Sequence, residues 1–299
     1  QANVQVNDYE LELGLTTTAG QGLVGSGYGR STGVTSGLYD MSLIKRTGAG
    51  ALVWSKNYGS AQNDFAYDHV RLPDQGFIVV GRTEGYSASV SDIMAIRTDS
   101  SGNVLWAKTY ARPAADFAWK IVPSCNGKYF IAGSSRSPGN GNDALLFQID
   151  TLGTVIWAET FGGILDDGDQ IGMGPTGDCG CILTASTLSF GVGENDMLIL
   201  KTDSMGNASC HTDPVVLTVT NISPTVRNAN PTYNGNAPSS PIYTTIEQSH
   251  IPSRPDSICD ACGFPVADFD FVTNVTSIAT IDASVGVKIP PTIPNRIIN

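Results

Sequence analysis

The stretch DIMAIRTDSSGNVLWA, residues 92–107, decides the fold, because its pattern recurs along the 299-residue chain. It has an aspartate, an apolar run, a polar turn with a glycine ten residues after the aspartate, and a tryptophan four residues later. The aspartates of successive copies stand 52, 51 and 53 residues apart. These repeat residues are Asp40, Asp92, Asp143 and Asp196, then Gly50, Gly102, Gly153 and Gly206, then Trp54, Trp106 and Trp157, with Cys210 at the fourth tryptophan position. A fixed period of this length indicates a repeat architecture.

Each repeat is predicted to hold four short β-strands. The apolar run and the tryptophan segment form the third and fourth strands, joined by a turn such as residues 98–103, where Asp and Ser favour a turn and Gly accepts a positive φ. The second strand is exemplified by residues 76–81. The first strand begins at Asp8, Asp64, Asp116 and Asp169. No stretch keeps a 3.6-residue period, so we expect almost no helix.

These features predict an all-β protein, a β-propeller of four four-stranded repeats of about 52 residues. The propeller domain is expected to span residues 1–211, with repeats at 8–62, 63–115, 116–167 and 168–211. A closed ring removes long exposed strand edges. An open β-solenoid of stacked sheets is the alternative. Closure needs a complementary end strand, which residues 4–6 or residues 215–219 would supply.

The composition indicates which classes of partner and which cellular compartment to expect. There are 17 basic against 28 acidic residues, a net charge of −11, so nucleic acid is not an expected partner. No apolar run reaches the roughly 18 residues of a transmembrane helix. The sequence opens at Gln1 without a Met and carries 6 cysteines. We therefore expect a secreted or cell-surface protein after removal of a signal peptide.

Residues 212–262 are rich in Pro, Asn, Thr and Ser and are predicted to form an irregular strap over the repeats. Residues 215–219 are its only clear strand. A disulfide from Cys210 to Cys259 or Cys262 would close a loop of about 50 residues and stabilise the fold by about 4 kcal/mol. The other candidates for disulfides are Cys125, Cys179 and Cys181.

The aspartates, tryptophans and histidines are the candidates for metal or ligand binding. The four repeat aspartates are interpreted as structural, one in each repeat. Calcium is the one cofactor considered, at Asp166, Asp167 and Asp169, although these lack the spaced ligands of a calcium loop, so no cofactor is expected. The three tryptophans fit core packing better than sugar stacking, because they recur at one position per repeat. The histidines, which are His69, His211 and His250, are too scattered to predict a zinc site.

The repeat resembles the propeller repeats of large secreted or surface proteins of the Bacteroidota, many of them exported by the type IX secretion route. The resemblance covers residues 8–211, and the last copy ends in Gly-Asn-x-x-Cys at residues 206–210, as in that family. Residues 264–271 and 282–286 resemble the opening of a polycystic-kidney-disease-type Ig-like domain, so residues 263–299 are interpreted as its start or as a docking tail. The resemblance also implies O-glycosylation at Asp-Ser/Thr-aliphatic triplets, whose acceptors would be Thr151, Ser204 and Ser257.

No nucleophile motif or pair of catalytic carboxylates stands out, so an enzyme is not expected. The leading hypothesis is a non-catalytic extracellular interaction module, either an adhesin or a scaffold linked to type IX secretion or gliding, with a protein partner at the cell surface or outer membrane. One alternative is a secreted glycan-binding or glycan-cleaving propeller. Another is a dedicated subunit of an outer-membrane complex.

Overall fold

The described part of the chain is built almost entirely from antiparallel β-strands. The computed structural model describes residues 10–18, 22–30, 38–87, 90–136, 141–169, 171–191, 195–208 and 212–229, all within one unit of residues 1–252. In these residues the only helical turn is a 3₁₀ turn at Cys125–Gly127, which confirms the all-β prediction. None of them forms a helix that could cross a membrane. Predictions for residues 4–6, Asp8, Cys210, His211, the strap beyond residue 229 and residues 263–299 lie outside the described residues. That part of the strap includes His250, Ser257, Cys259 and Cys262.

The first three repeats each form a four-stranded antiparallel sheet in chain order, as predicted. The first sheet holds β1 (Glu10–Thr17), β2 (Leu23–Arg30), β3 (Tyr39–Arg46) and β4 (Leu52–Gly59). The second holds β5 (Asp64–Arg71), β6 (Phe77–Thr83), β7 (Asp92–Thr98) and β8 (Val104–Ala111). The third holds β9 (Asp116–Pro123), β10 (Tyr129–Arg136), β11 (Asn142–Ile149) and β12 (Val155–Phe161). The fourth repeat has three strands among the described residues, β13 (Gly172–Pro175), β14 (Cys181–Thr187) and β15 (Asp196–Thr202).

The turns that follow the third strands have the predicted chemistry. Their glycines, Gly50, Gly102, Gly153 and Gly206, all have φ between 72° and 88°. The carboxylate of Asp99 accepts hydrogen bonds from the N–H groups of Ser101 and Asn103, both at 2.8 Å. Asp150 and Asp203 make equivalent bonds in the next two repeats. The aspartate and the glycine together fix the hairpin, because one satisfies the backbone donors and the other accepts the left-handed conformation.

The sheets stack face to face through the alternating side chains of the third strands. Met41 and Leu43 of β3 belong to one buried cluster with Ile96 of β7. In the next cluster, Ile93 of β7 packs with Phe147 of β11. The residues one and three positions after each repeat aspartate therefore face the following sheet, and those two and four positions after it face the preceding sheet.

The segment after the repeats adds a fifth strand to each of the first three sheets, in reverse order. β16 (Thr212–Pro214) pairs with β12, β17 (Thr218–Asn221) pairs with β8, and β18 (Thr225–Asn228) pairs with β4. The N–H groups of Val215, Ile222 and Ala229, seven residues apart, bond the carbonyls of Ala158, Ala107 and Ser55 at 3.0 Å each. We call residues 212–229 the strap, and it covers the outer edges of three sheets.

The predicted single strand at residues 215–219 is wrong in its bounds. Residues 215–217 are not strand but the crossing between the third and second sheets, with Leu217 buried there. The physical reason is spacing: stacked sheets lie about 10 Å apart, so a strap that pairs with several of them must interrupt its strands to step between them.

Candidate functional site

The four repeat aspartates lie one to each sheet and are not brought together. Asp40, Asp92 and Asp143 are buried at the start of the third strand. Asp40 lies against Gly59 at the end of β4, where a Cβ on Gly59 would come within 2.0 Å of the Asp40 carboxylate. The same carboxylate accepts a hydrogen bond from Arg227 of the strap at 3.0 Å. These contacts fit the structural role expected for the repeat aspartates.

A second set of aspartates marks the junctions between sheets. Asp64, Asp116 and Asp167 are fully buried, and each accepts a hydrogen bond at 2.6 to 2.7 Å from the backbone N–H four residues before it. The sequence placed the fourth-repeat member of this set at Asp169. In the structure that position belongs to Asp167, which forms an isolated bridge with Thr187 of β14.

Two of the three proposed calcium ligands, Asp166 and Asp167, have carboxylates that accept hydrogen bonds from the protein, whereas Asp169 is exposed. The carboxylate of Asp167 accepts hydrogen bonds from the Thr187 hydroxyl and from the N–H groups of Leu188 and Ser189. Burial raises the pKa of Asp167, but these hydrogen bonds outweigh it and hold that pKa below its usual value. Asp166 accepts from the N–H of Asn142 at 2.8 Å. Within the described residues no three Asp, Glu, His or Cys side chains form a group that could hold a metal ion.

The repeat tryptophans pack between sheets. The indole N–H of Trp54 donates to the carbonyl of Ser100 at 3.3 Å, and that of Trp106 donates to the carbonyl of Thr151 at 3.0 Å. Both acceptors lie in the hairpin of the following sheet. A Cβ on Gly206 would come within 2.6 Å of the Trp157 ring, so the same contact recurs in the next pair of sheets. These rings are covered by the neighbouring hairpins, which supports packing rather than sugar stacking.

One disulfide joins Cys125 to Cys179 across 54 residues. Cys125 lies in the β9–β10 hairpin and Cys179 in the β13–β14 hairpin, so the bond links the third sheet to the fourth. The two cysteines are separated in sequence by about one repeat, which is a signal for their pairing. The sequence alone had left the pairing open. Cys181, also named as a disulfide candidate, is a buried free thiol.

Two of the three predicted glycan acceptors occupy equivalent hairpins. Thr151 and Ser204 are exposed, and the aliphatic residues that follow them, Leu152 and Met205, are each 67% exposed. Both triplets are therefore accessible on the folded protein.

His69 is a buried link between the first two sheets. Its ring nitrogens lie 2.7 Å from the hydroxyl oxygens of Thr16 in β1 and Ser26 in β2. Burial lowers the pKa of His69 to about 4, so the ring is neutral in the folded protein. Ser26 has no exposed surface, so this Ser–His contact has no access for a substrate and serves packing.

His69 is expected to make stability depend on pH in a defined direction. The unfolded histidine takes up a proton below about pH 6.5, whereas the folded one does so only near pH 4, so its contribution to stability falls by about 3 kcal/mol over that range. At pH 7.5, His69→Gln should have a lower unfolding free energy than wild type. This difference should be smaller by about 3 kcal/mol at pH 4. Urea unfolding of variant and wild type at several pH values measures the difference.

Asp116 supplies the control for this experiment because its linkage has the opposite sign. Burial raises the pKa of Asp116 to about 6, so its protonation stabilises the fold as the pH falls from about 6 toward 4. The unfolding free energy of Asp116→Asn relative to that of wild type should therefore decrease as the pH falls from about 6 toward 4. A stability difference between His69→Gln and wild type that is independent of pH would contradict the assignment.

Four half-buried rings form a row on two neighbouring first strands, and we call Phe65, Tyr67, Phe117 and Trp119 the inner aromatic row. Tyr67 of β5 and Trp119 of β9 have ring centres 4.7 Å apart and planes inclined by 37°. The Arg82 guanidinium lies 4.4 Å from the Phe65 ring centre and 5.2 Å from that of Phe117. The repeat pattern did not predict this surface, although both strands place aromatic residues one and three positions after their aspartate.

The fourth sheet leaves an apolar face open. Met197, Ile199 and Ile182 are 67%, 54% and 42% exposed. At the positions of Met197 and Ile199, the first three sheets bury every side chain; these are Met41 and Leu43, Ile93 and Ala95, and Ala144 and Leu146. Among the described residues β15 pairs only with β14, because the following chain joins the third sheet as β16.

No protein-family model matches the chain, and a search of curated proteins finds no match. Two surfaces of the described residues are candidates for binding, the inner aromatic row and the open face of the fourth sheet.

Proposed function

We propose that this protein is a non-catalytic extracellular interaction module that binds a β-strand of a protein partner at β15. Its four sheets would be successive blades of a propeller, and the partner strand would take the fourth-strand position of the last blade. The observation that carries the proposal is the exposed apolar face of Met197 and Ile199 beside a strand edge that has no partner among the described residues. Contiguous exposed apolar surface beside such an edge is typical of strand addition.

The other three sheets indicate what kind of strand fits. One face of their fourth strands carries small, buried side chains, and in the second and third sheets this face packs on the preceding sheet. These side chains are Ser55 and Asn57, Ala107 and Thr109, and Ala158 and Thr160. The side chains facing the following sheet are large, as in Trp106 and Tyr110. The middle position of this second face is charged, at Lys56, Lys108 and Glu159. A partner strand for β15 should therefore alternate small residues on one face with two large apolar residues, separated by a charged one, on the other.

The compartment and the biological setting belong to the same proposal. The Cys125–Cys179 disulfide favours an oxidising compartment, as in secreted and surface proteins. Together with the resemblance of the repeats, this supports an adhesin, or a scaffold linked to type IX secretion or gliding, with its partner at the cell surface or outer membrane.

The proposal is tested with a peptide that copies the chain's own fourth strand. A labelled VIWAETFG peptide, residues 155–162, is titrated with the full chain and binding is followed by fluorescence anisotropy. We expect saturable binding, with Met197→Asp weakening it several-fold. Met197 takes the position of Ala144, which pairs across the sheet with Phe161, so the charge would lie beside the apolar Phe161 ring of the peptide.

Leu152→Asp is the matched control, since Leu152 is equally exposed but lies in the β11–β12 hairpin, and it should bind the peptide like wild type. A peptide of scrambled sequence should not bind. Failure of VIWAETFG to bind, or equal binding by Met197→Asp, would overturn the proposal.

A further inference from the structure

We infer that the Cys125–Cys179 disulfide is a redox-sensitive clamp, which holds the fourth sheet against the third and whose reduction lets the fourth sheet open by itself. The inference concerns the fourth sheet as a unit and does not depend on strand binding at β15.

The fourth sheet is the least enclosed of the four sheets in the described part of the chain. It has three strands and receives none from the strap, whereas each of the other sheets has five strands with its strap strand included. Leu183 and Leu198 are buried on the face that packs on the third sheet, but Met197 and Ile199 on the opposite face are 67% and 54% exposed. A unit that is packed on one face only is expected to open more readily than the sheets enclosed on both faces.

The disulfide joins this open unit to a sheet that is covered on both faces. It runs from the β9–β10 hairpin to the β13–β14 hairpin, and beside it the Ser124 hydroxyl donates to the carbonyl of Cys179 at 3.1 Å. A single partly buried hydrogen bond of this kind holds the two hairpins far less firmly than the covalent bond. Cys125 and Cys179 are only partly buried, so a small reductant can reach the bond.

The position of the bond along the chain gives the size of its effect. When the fourth sheet opens, its chain stays anchored at Phe161 of β12 and at Thr212 of β16. The disulfide adds an anchor at Cys179, 18 residues after Phe161, and so restricts the opened chain. Closing a loop of this length disfavours the opened state by about a hundredfold. Reduction should therefore raise the equilibrium constant for opening by about that factor.

Reduction by a dithiol is a two-electron step that exchanges one disulfide for another. One thiolate of the dithiol attacks a sulfur of the Cys125–Cys179 bond and releases the other cysteine, which takes up a proton. The second thiolate then attacks the mixed disulfide, so the remaining cysteine also leaves as a thiol and the dithiol becomes a cyclic disulfide. The two protons of the dithiol end on the two cysteines. Opening would remove the ordered β15 edge, so reduction should also switch off strand binding, a consequence that rests on the proposed function.

The test is native-state hydrogen–deuterium exchange of the full chain, with and without dithiothreitol, over a series of low urea concentrations. The reporter is β14, which lies between β13 and β15, and the reference is β7, which lies between β6 and β8. We expect dithiothreitol to raise the opening constant of β14 by about a hundredfold. The opening of β14 should depend weakly on urea because one sheet exposes little surface, whereas that of β7 should follow global unfolding.

The double variant Cys125→Ser with Cys179→Ser controls for other effects of the reductant. Its β14 should exchange without dithiothreitol as fast as that of the reduced wild type, and dithiothreitol should not change this rate. The inference is overturned if β14 exchanges equally in oxidised and reduced wild type. It is also overturned if β14 and β7 of the reduced protein share one opening constant and one urea dependence, because the sheets then unfold together. The test uses no peptide, so its failure leaves the proposal of strand binding at β15 unaffected.

Discussion

Replacing Gly133 by alanine is expected to destabilise the protein by at least about 3 kcal/mol. A Cβ on Gly133 would lie 1.8 Å from the carbonyl oxygen of Phe117 and 2.8 Å from its carbonyl carbon. Both are backbone atoms of β9 next to an irregularity in the register with β10, so no side chain can move aside to make room. Gly81 meets the backbone of Phe65 at the same distances, which makes the close approach a property of the repeat.

Urea unfolding followed by tryptophan fluorescence measures this effect. The control is Gly177→Ala, because no atom lies within 4 Å of a Cβ there, and its unfolding free energy should stay within about 0.5 kcal/mol of wild type. Equal unfolding midpoints for Gly133→Ala and wild type would show that β9 and β10 do not approach as described.

Loss of the Cys125–Cys179 disulfide is expected to cost about 4 kcal/mol, since the bond closes a loop of 54 residues in the unfolded chain. The double variant Cys125→Ser with Cys179→Ser should unfold at a correspondingly lower urea concentration. The measurement is equilibrium unfolding with and without dithiothreitol.

The reductant supplies an internal control for the disulfide. Dithiothreitol should shift the wild type toward the double variant and leave the double variant unchanged. Cys181→Ala should keep the full response to reductant, because Cys181 is a free thiol. A reductant response that is lost in Cys181→Ala would contradict the assigned pairing.

The repeating sheets were predictable from sequence because their signals are local. Alternation of apolar residues fixes the strands, and the Asp and Gly of residues 99–102 fix a hairpin by hydrogen bonding and backbone freedom alone. The recurrence also supports the assignment of strands, because the pattern that begins at Asp92 is found again at Asp143. The number and order of the strands in the first three sheets could therefore be predicted from the sequence.

The strap and the candidate surfaces depend on contacts between distant residues, so they were harder to predict. The strap strands are exposed edge strands and carry no clear apolar alternation, as in Thr225–Asn228. Their signal is the seven-residue step between Thr218–Asn221 and Thr225–Asn228. The pairing of Cys125 with Cys179, and the meeting of Tyr67 with Trp119, required the stacking of successive sheets to be known.

Residue-resolved hydrogen–deuterium exchange across β15 in the free protein shows directly whether the fourth sheet ends in an open edge that accepts a partner strand. Every second N–H of β15 should then exchange on the order of a hundredfold or more faster than its equivalents in β11, which lies between two strands. Addition of the VIWAETFG peptide should protect those N–H groups. Equal protection of β15 and β11 in the free protein would contradict the claim.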